Sequence, residues 1–383
     1  MPWKARDVME LRIEFVVRAA REEMSLSALC AAFGISRPTG YRWLHRYEQA
    51  QSVLALADRS RRPCHSPHKT PEVVEEAVLA LRAKYGWGAR KLQVLLREQG
   101  YQLPAITINR ILKRRGLVPK PERIGQATRR FQRERCNELA QLDFKGEYRV
   151  EGGLCYPLSL LDDHSRYLLG LWALPTQATA AVQQTLRAHF RQHGMPEALL
   201  LDHGVPWWSS SSGHGLTRLS VWLMKHGVAL VWTGLRHPQT QGKVERMHRT
   251  LKERTRHEGQ PSTLEGWQQW TQEFRREYNR RRPHEALGMK TPAQVYGREH
   301  LRVYREPVRE WDYGEARTKV LNGAGCLTWN GRRYFVCEAL AGERVRIDEL
   351  EELLLVTFRQ TTVRQINLRT HKTTALLLQP PKL

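Results

Sequence analysis

The chain has 383 residues, of which 62 are Lys or Arg and 39 are Asp or Glu, so its formal net charge is +23. That surplus favours a polyanionic partner, most simply nucleic acid. Apolar residues make up 41% and charged residues 26% of the chain, which is ordinary globular usage and excludes wholesale disorder. No apolar run reaches the roughly 18 residues that span a bilayer, and the N-terminus lacks the pattern of a secretory signal. We expect a soluble intracellular protein.

Residues 1–52 predict a helix-turn-helix domain. Apolar side chains recur at helical spacing before Gly34, and Ser36 is placed to cap a second helix over residues 37–47. This second helix is basic and carries Trp43 as a core residue, which favours DNA binding over an ordinary helical hairpin. The candidate DNA contacts are Arg37, Thr39, Arg42 and Arg46.

Residues 70–116 predict a second helix-turn-helix domain. Thr70 and Pro71 give a cap and a first-turn proline for one helix, and two further helices are predicted near 89–98 and 107–115. The last helix is apolar on one side and basic on the other, as expected of a recognition helix. Its candidate DNA contacts are Arg110, Lys113 and Arg114.

Two basic stretches, residues 53–69 and 117–136, are predicted linkers beside this second domain. They hold too few apolar residues to fold alone, and they either contact DNA or serve as solvated tethers. Cys64, His65 and His68 lie close together in the first linker, but no second ligand pair follows at zinc-finger spacing. The scattered cysteines therefore predict reduced thiols rather than a zinc site.

From residue 137 onward, short apolar runs alternate with helical stretches, which predicts an α/β domain over residues 137–300. The pattern changes again after Trp311. Several short alternating strands follow, and Asn330-Gly331 is a strong hairpin signal. Residues 315–383 therefore predict a small all-β domain.

Three carboxylates of the α/β domain occupy positions where an acid needs a partner. Asp143 lies within the first strand, Asp202 where an apolar strand gives way to a glycine turn, and Glu245 near the start of a long helix. Buried acids are costly unless paired or bound to metal, and carboxylate oxygens suit Mg²⁺ or Mn²⁺. Three carboxylates can hold two ions about 3.5–4 Å apart that clamp a phosphodiester. The structural alternatives are a turn role for Asp202 and an ion pair of Glu245 with Arg249.

The helix that carries Glu245 is strongly basic. One carboxylate among many cations is typical of a helix that lies along DNA with its single acid turned to a metal. Asp162 and Asp163 are competing acids, but their setting predicts a hairpin turn. The candidate phosphate contacts on the Glu245 helix are Lys243, Arg246, Arg249 and Lys252.

At these residues the chain resembles the retroviral-integrase superfamily. Asp143 in QLDFKG, Asp202 in LLDHGVPW and Glu245 in GKVERMHRTLK are similar to its Asp-Asp-Glu triad. The later NRRRPHEALGMKTPAQVY resembles the segment that closes this domain in insertion-sequence transposases. The tandem N-terminal domains and the residues around Asp202 are most similar to the IS481 family, and the resemblance covers nearly the whole chain.

The resemblance implies an N-terminal all-α tandem helix-turn-helix region, a central α/β ribonuclease-H-like core and a C-terminal small β-barrel. It implies a transposase that binds terminal inverted repeats, cleaves DNA ends and joins the 3′-hydroxyls to target DNA, using two Mg²⁺ or Mn²⁺ ions. Asp143 would bridge both ions, and Asp202 and Glu245 would each complete one ligand shell. The implied partners are double-stranded DNA and further copies of the chain at synapsis, in the bacterial cytoplasm at the nucleoid.

Two departures from the family pattern concern the second carboxylate. His203 stands where the family commonly has Asn, and 42 residues separate Asp202 from Glu245, more than is usual. The surplus falls in the Ser/Gly-rich stretch 206–217.

The sequence leaves two alternative functions. One is an inactive sequence-specific regulator, but the intact Asp-Asp-Glu triad argues against it. The other is a structure-specific nuclease, but such an enzyme needs no sequence-reading domains, so the two helix-turn-helix domains argue against it.

Overall fold

The computed structural model describes residues 7–59, 69–118, 132–209, 215–232 and 242–378. It divides into two compact units, Met1–Thr70 and Pro71–Leu383. The cluster of Cys64, His65 and His68, most of the second basic linker and most of the serine run lie outside the described residues. Within the described ranges, no helix is both long and apolar enough to cross a membrane.

The first unit is a three-helix domain built around Trp43. Its elements are α1 (Val8–Ala20), α2 (Leu26–Ala32), α3 (Arg37–Ala50) and a 3-10 helix (Val53–Leu56). The predicted cap is confirmed, because the Ser36 hydroxyl accepts a hydrogen bond from the Thr39 backbone amide. Trp43 is buried, and so is Leu56 of the 3-10 helix. Residues that the sequence assigns to a linker therefore take part in this core.

Three more helices open the second unit. They are α4 (Glu72–Tyr85), α5 (Ala89–Glu98) and α6 (Ala105–Arg114). Their apolar faces meet in a buried cluster that includes Leu92, Ile108 and Ile111. The helix predicted at 89–98 is confirmed, but the predicted Thr70 cap is wrong. Pro71 itself occupies the N-cap position of α4, and no side chain caps that helix, so Thr70 lies one residue too early.

A mixed six-stranded sheet forms the centre of the α/β domain. Its strands are β1 (Ala140–Phe144), β2 (Tyr148–Val150), β3 (Gly153–Asp162), β4 (Leu168–Leu174), β5 (Ala198–Leu201) and β8 (Ala229–Trp232). The path runs β2-β3-β1-β5-β8, and β4 pairs with β3 on its other side. β3 is antiparallel to β1 and β4, whereas β1, β5 and β8 are parallel. A separate ribbon consists of β6 (Trp208–Ser209) and β7 (Gly215–Leu216).

Helices cover both faces of this sheet, which is why its strands are apolar at successive positions. They are α7 (Thr179–His193), α8 (Arg218–Lys225), α9 (Gly242–Glu258), α10 (Leu264–Arg280) and the short α11 (Pro292–Val295). Val182 of α7 and Leu219 of α8 share one core cluster with Leu142. Met247 of α9 and Phe274 of α10 share another on the opposite face.

The C-terminal region is an open sheet and a hairpin. Its strands are β9 (Thr318–Val320), β10 (Cys326–Trp329), β11 (Arg332–Phe335), β12 (Arg344–Leu350), β13 (Leu353–Phe358), β14 (Thr361–Asn367) and β15 (Thr373–Leu378). Asn330 and Gly331 both have positive φ between β10 and β11, so the predicted hairpin is confirmed. The small β-barrel is not supported. The order β15-β14-β13-β12-β9 leaves β15 and β9 as edges that pair with no other described strand.

Candidate active site

Asp143 and Asp202 lie at one edge of the central sheet. Asp143 is in β1, and Asp202 follows the last residue of β5. Because β1 and β5 run parallel, with Gln141 opposite Leu200, their carboxyl ends meet at the same edge. Strand direction alone therefore brings the first two predicted site residues together.

The start of α9 brings Glu245 to this edge. Glu245 is exposed in the first turn of α9. The Gln141 side chain of β1 holds this turn in place, because its Oε1 accepts a hydrogen bond from the Val244 backbone amide at 3.1 Å. Among the ion pairs of the described residues, α9 contributes Lys243, Arg254 and Glu258. Glu245 therefore does not form the ion pair with Arg249 that was the structural alternative.

The charges of Asp202 and Glu245 act on the Asp143 carboxyl. The pKa of Asp143 is raised to about 7, first by burial and then by the negative charges of Asp202 and Glu245. The Phe144 amide and the Lys145 ammonium favour its ionised form but do not offset these effects. The site therefore holds an excess of negative charge that a divalent cation would relieve.

The donor set fits Mg²⁺ or Mn²⁺, since carboxylate oxygens are the ligands that these ions prefer. Within the described ranges, no group of three His, Cys, Asp or Glu side chains is close enough to hold one ion together. The charges of Asp202 and Glu245 each act on Asp143.

Trp207, which the sequence analysis did not single out, positions Asp202. Its indole Nε1 donates a hydrogen bond of 2.5 Å to Asp202 Oδ1, and the Gly204 amide donates a second of 3.0 Å to the same oxygen. The Trp207 ring is 1% exposed and stacks on Phe144 at a centroid distance of 5.5 Å. Since Phe144 follows Asp143 in the chain, the buried Trp207 side chain contacts both Asp202 and the residue next to Asp143.

Trp207→Phe keeps an aromatic ring beside Phe144 and removes the N–H donor. We expect the affinity for Mn²⁺ to fall by about 10–100-fold, as when an outer-shell partner of a metal ligand is lost. The measurement is the rise in unfolding temperature with added Mn²⁺, which reports binding without catalysis. Trp208→Phe is the matched control, because the neighbouring indole makes no described hydrogen bond to Asp202. Equal Mn²⁺ affinity in the two variants would contradict this role.

His248 is a second residue that sequence reasoning missed. It lies one turn after Glu245, is buried, and its Nε2 is 2.9 Å from the Ser159 hydroxyl. Its Nδ1 lies 3.6 Å from Asp143 Oδ2. Burial lowers the pKa of His248 to about 3, so the ring is neutral at pH 7. Its spacing of three from Glu245 on one helix was the only signal in the sequence.

Lys243 is engaged inside the protein rather than presented to solvent. Its ammonium lies 2.5 Å from a carboxylate oxygen of the fully buried Asp163. The Gln141 amide and the Arg133 backbone amide also donate to Asp163. Asp162 and Asp163 do stand at the hairpin turn between β3 and β4, as predicted. This buried network ties the start of α9 to β1 and directs the Lys243 ammonium towards Asp163.

The other three predicted cations of α9 are exposed. None of Arg246, Arg249 and Lys252 forms an ion pair with a described carboxylate, whereas Arg254 further along pairs with Glu258 and Glu277. A row of unneutralised cations beside the carboxylates suits contact with phosphates.

The predicted DNA contacts of the first unit lie on α3 and differ in their exposure and in their contacts within the protein. Arg37 and Arg42 are exposed. Thr39 takes part in the cap, since its hydroxyl is 2.9 Å from that of Ser36. Arg46 donates a hydrogen bond of 3.0 Å to the Ala57 carbonyl and lies over the Trp43 ring. Arg37 and Arg42 are therefore the two freest cations of this set.

On α6, Arg110, Lys113 and Arg114 are all exposed, but Arg114 forms an ion pair within the protein. Its guanidinium lies 2.7 Å from the buried carboxylate of Glu75 on α4. An unpaired buried acid would be costly, so Arg114 is needed to stabilise the helix pair. Arg110 and Lys113 remain the candidates for contact with a ligand.

His203 lies in an aromatic cluster. Its ring centroid is 4.3 Å from that of Trp208 and 6.0 Å from that of Trp232, which ends β8. Because Trp232 is opposite Leu201 in the parallel pair of β5 and β8, this cluster sits beside Asp202. The departure from the family pattern at His203 is thus accompanied by two tryptophans that pack against it.

Three segments of the chain match known domain families. Residues 226–292 match the model of an integrase core domain, residues 11–63 that of a helix-turn-helix domain, and residues 39–112 that of a homeodomain-like domain. The integrase-core match contains Glu245 and α9. The chain therefore combines a segment similar to an integrase core with helix-turn-helix segments.

Solved structures similar to this chain include three retroviral integrase structures. The simian T-cell lymphotropic virus intasome in complex with PP2A regulatory subunit B56 gamma is 11% identical, with a TM-score of 0.39, over 79% of this chain and 100% of that chain. The catalytic core domain of BIV integrase is 20% identical, with a TM-score of 0.32, over 42% and 93%. The HTLV-2 integrase catalytic core domain in complex with magnesium is 14% identical, with a TM-score of 0.32, over 43% and 99%.

Proposed function

We propose that this protein is a DNA transposase similar to the IS481 family, which binds the ends of its element, cleaves them and joins the 3′-hydroxyls to target DNA. The observation that carries the proposal is that the parallel strands β1 and β5 bring Asp143 and Asp202 to one sheet edge, where the charges of Asp202 and Glu245 both raise the pKa of the Asp143 carboxyl. The integrase-core match around Glu245 supports it.

Separate segments of the chain bind DNA and hold the reacting groups. Residues 1–52 and 70–116 read the terminal repeats, with Arg37 and Arg42 on α3 and Arg110 on α6 in contact with DNA. Arg246, Arg249 and Lys252 of α9 bind phosphates beside the scissile bond. Trp207 and Gln141 fix the geometry of the carboxylates, so the site is organised before DNA arrives.

Both chemical steps are phosphoryl transfers that balance without a redox or energy-supplying cofactor. In the first, a water oxygen forms a bond to phosphorus and the 3′-oxygen of the end leaves. In the second, that 3′-hydroxyl forms a bond to a target phosphorus and a target 3′-oxygen leaves. Two Mg²⁺ or Mn²⁺ ions, when bound, supply charge neutralisation at the attacking and leaving oxygens. Asp143 would hold both ions, with Asp202 and Glu245 each completing one ligand shell.

The proposal is tested by cleavage of DNA taken from the sequence that flanks the protein's own gene. We expect wild-type protein to nick this duplex in Mg²⁺, and Glu245→Gln to lose the activity by a factor on the order of 10³. Glu253→Gln is the matched control, because Glu253 is an exposed acid on the same helix, two turns further on.

Three other outcomes of this assay would contradict part or all of the proposal. Equal nicking by Glu245→Gln and wild type would remove Glu245 from the site. Tight binding of end DNA without nicking would favour the sequence-specific regulator. Nicking without preference for end DNA over arbitrary duplex, and without joined products, would favour the structure-specific nuclease.

A further inference from the structure

A basic groove runs along the outer edge of the central sheet, beyond the carboxylates. It has a volume of about 560 Å³ and lies between the edge strand β4, the end of α7 and the exposed side of α10. We define this α10 groove by Leu171–Leu174, His193, Arg275, Arg276 and Arg280. Its described lining contains no Asp or Glu.

The three arginines of the groove are not neutralised by acids. Within the described part of the chain, the ion pairs of α10 and the residue after it join Glu277 to Arg254 and Arg281 to Glu98. Arg276 and Arg280 are exposed and Arg275 is half-buried. The positive charge of Arg275 reaches across to α7, where it adds to burial in lowering the pKa of His193. Of the three acids of α10, Glu277 pairs with Arg254, and neither Glu265 nor Glu273 is part of the groove lining, so the described lining of the groove is cationic.

The groove lies in line with the candidate active site. Asp143 is opposite Ser159, and Ser159 is opposite Leu171 at the groove, so the two places are joined by one row across three strands. Two strand spacings separate Asp143 from Leu171, about 10 Å. No described strand pairs with the outer side of β4. The Asn279 side chain of α10 forms hydrogen bonds with the backbone of Leu168, the first residue of β4.

We infer that the α10 groove binds the phosphate backbone of duplex DNA, as a contact separate from the carboxylates and from the helix-turn-helix domains. DNA carries one negative charge per about 1.7 Å of helix axis, so three unpaired arginines that line one groove have phosphate partners within reach there. A guanidinium group can bind a phosphate through two parallel hydrogen bonds, and the glutamines that line the groove add uncharged donors. The inference rests on the proposed function only in taking DNA as the partner.

The test measures binding to an arbitrary fluorescein-labelled 30-base-pair duplex by anisotropy, in EDTA, at several KCl concentrations. Each neutralised phosphate contributes about 0.9 to the slope of log affinity against log salt. We expect the triple variant Arg275→Gln, Arg276→Gln, Arg280→Gln to lower this slope by about 2.7 and affinity at 0.1 M salt by roughly tenfold or more. The matched control replaces the same three arginines by lysine and should keep most of the slope.

Three results would overturn the inference. The first is a salt slope that is unchanged in the glutamine triple variant. The second is a lysine triple variant that loses as much of the slope and affinity as the glutamine triple and has a lowered unfolding temperature. The third is a changed sedimentation coefficient of the glutamine triple variant in the absence of DNA. The last would make the groove a contact between copies of this chain. A wild-type protein that binds DNA through the groove but cuts none would contradict the proposed transposase and leave this inference standing.

Discussion

Asp143→Asn should abolish cleavage and joining while leaving DNA binding intact. Asp143 is the carboxylate coupled to both Asp202 and Glu245, so its loss removes the ligand that both metal positions would share. We expect the rate to fall by a factor on the order of 10³ or more. Affinity for end DNA should change by less than about twofold, since the helix-turn-helix domains and the α9 cations supply it. Gel-shift and cleavage assays on the same duplex check both parts.

The same variant should be more stable than wild type at pH 8 without metal. A folded-state pKa of about 7 lies above the unfolded value of 3.8, so ionising Asp143 costs the folded state free energy. That cost is absent well below the unfolded pKa of 3.8 and grows up to pH 7, to at most roughly 4 kcal/mol. Thermal unfolding in EDTA at pH 5 and pH 8 measures it. A stability difference between variant and wild type that does not grow with pH would show that the folded protein does not disfavour the ionised form of Asp143.

Asp163→Ala should destabilise the protein by about 3–5 kcal/mol, because it removes the buried carboxylate that neutralises the Lys243 ammonium. Asp163 is fully buried and also accepts hydrogen bonds from Gln141 and the Arg133 amide. The measurement is the free energy of unfolding in urea. Asp348→Ala is the control, since it breaks the exposed pair with Arg346, for which about 0–1 kcal/mol is expected.

A second change separates loss of the ion pair from loss of packing. With Lys243→Met added to Asp163→Ala, no buried charge is left alone, so part of the stability should return. A double variant as unstable as the single one would contradict this account of the α9 anchor. Equal effects of Asp163→Ala and Asp348→Ala would contradict it as well.

The elements that could be predicted are those fixed by local pattern. The helix at 89–98 follows from its apolar periodicity, and the turn at Asn330-Gly331 from the positive φ that these residues tolerate. The strands that carry Asp143 and Asp202 were also predicted from their apolar runs, but it is the parallel pairing of β1 and β5 in the fold that brings the two carboxylates to one edge. The helix and the turn are each fixed within a few residues of sequence.

What could not be predicted depends on contacts between distant segments. The sequence shows Lys243 among the cations of a basic helix, and only the fold shows Asp163 beneath it, 80 residues earlier. Arg114 is likewise engaged by Glu75, and Trp207 is a positioning residue only because its indole reaches Asp202. Barrel closure is of the same kind, since strand spacing along the chain does not say whether the first and last strands pair.

The most direct test of the central claim is strand joining. A duplex from the sequence flanking the gene, with a recessed 3′-hydroxyl end, is incubated with supercoiled plasmid and protein in Mg²⁺, Mn²⁺ or EDTA. If the three carboxylates form a metal-dependent phosphoryl-transfer site, the 3′ end becomes covalently joined to the plasmid in Mg²⁺ or Mn²⁺. The product is then absent in EDTA and with Asp143→Asn. Specific, tight binding of the end without any joined product in either metal would contradict the account.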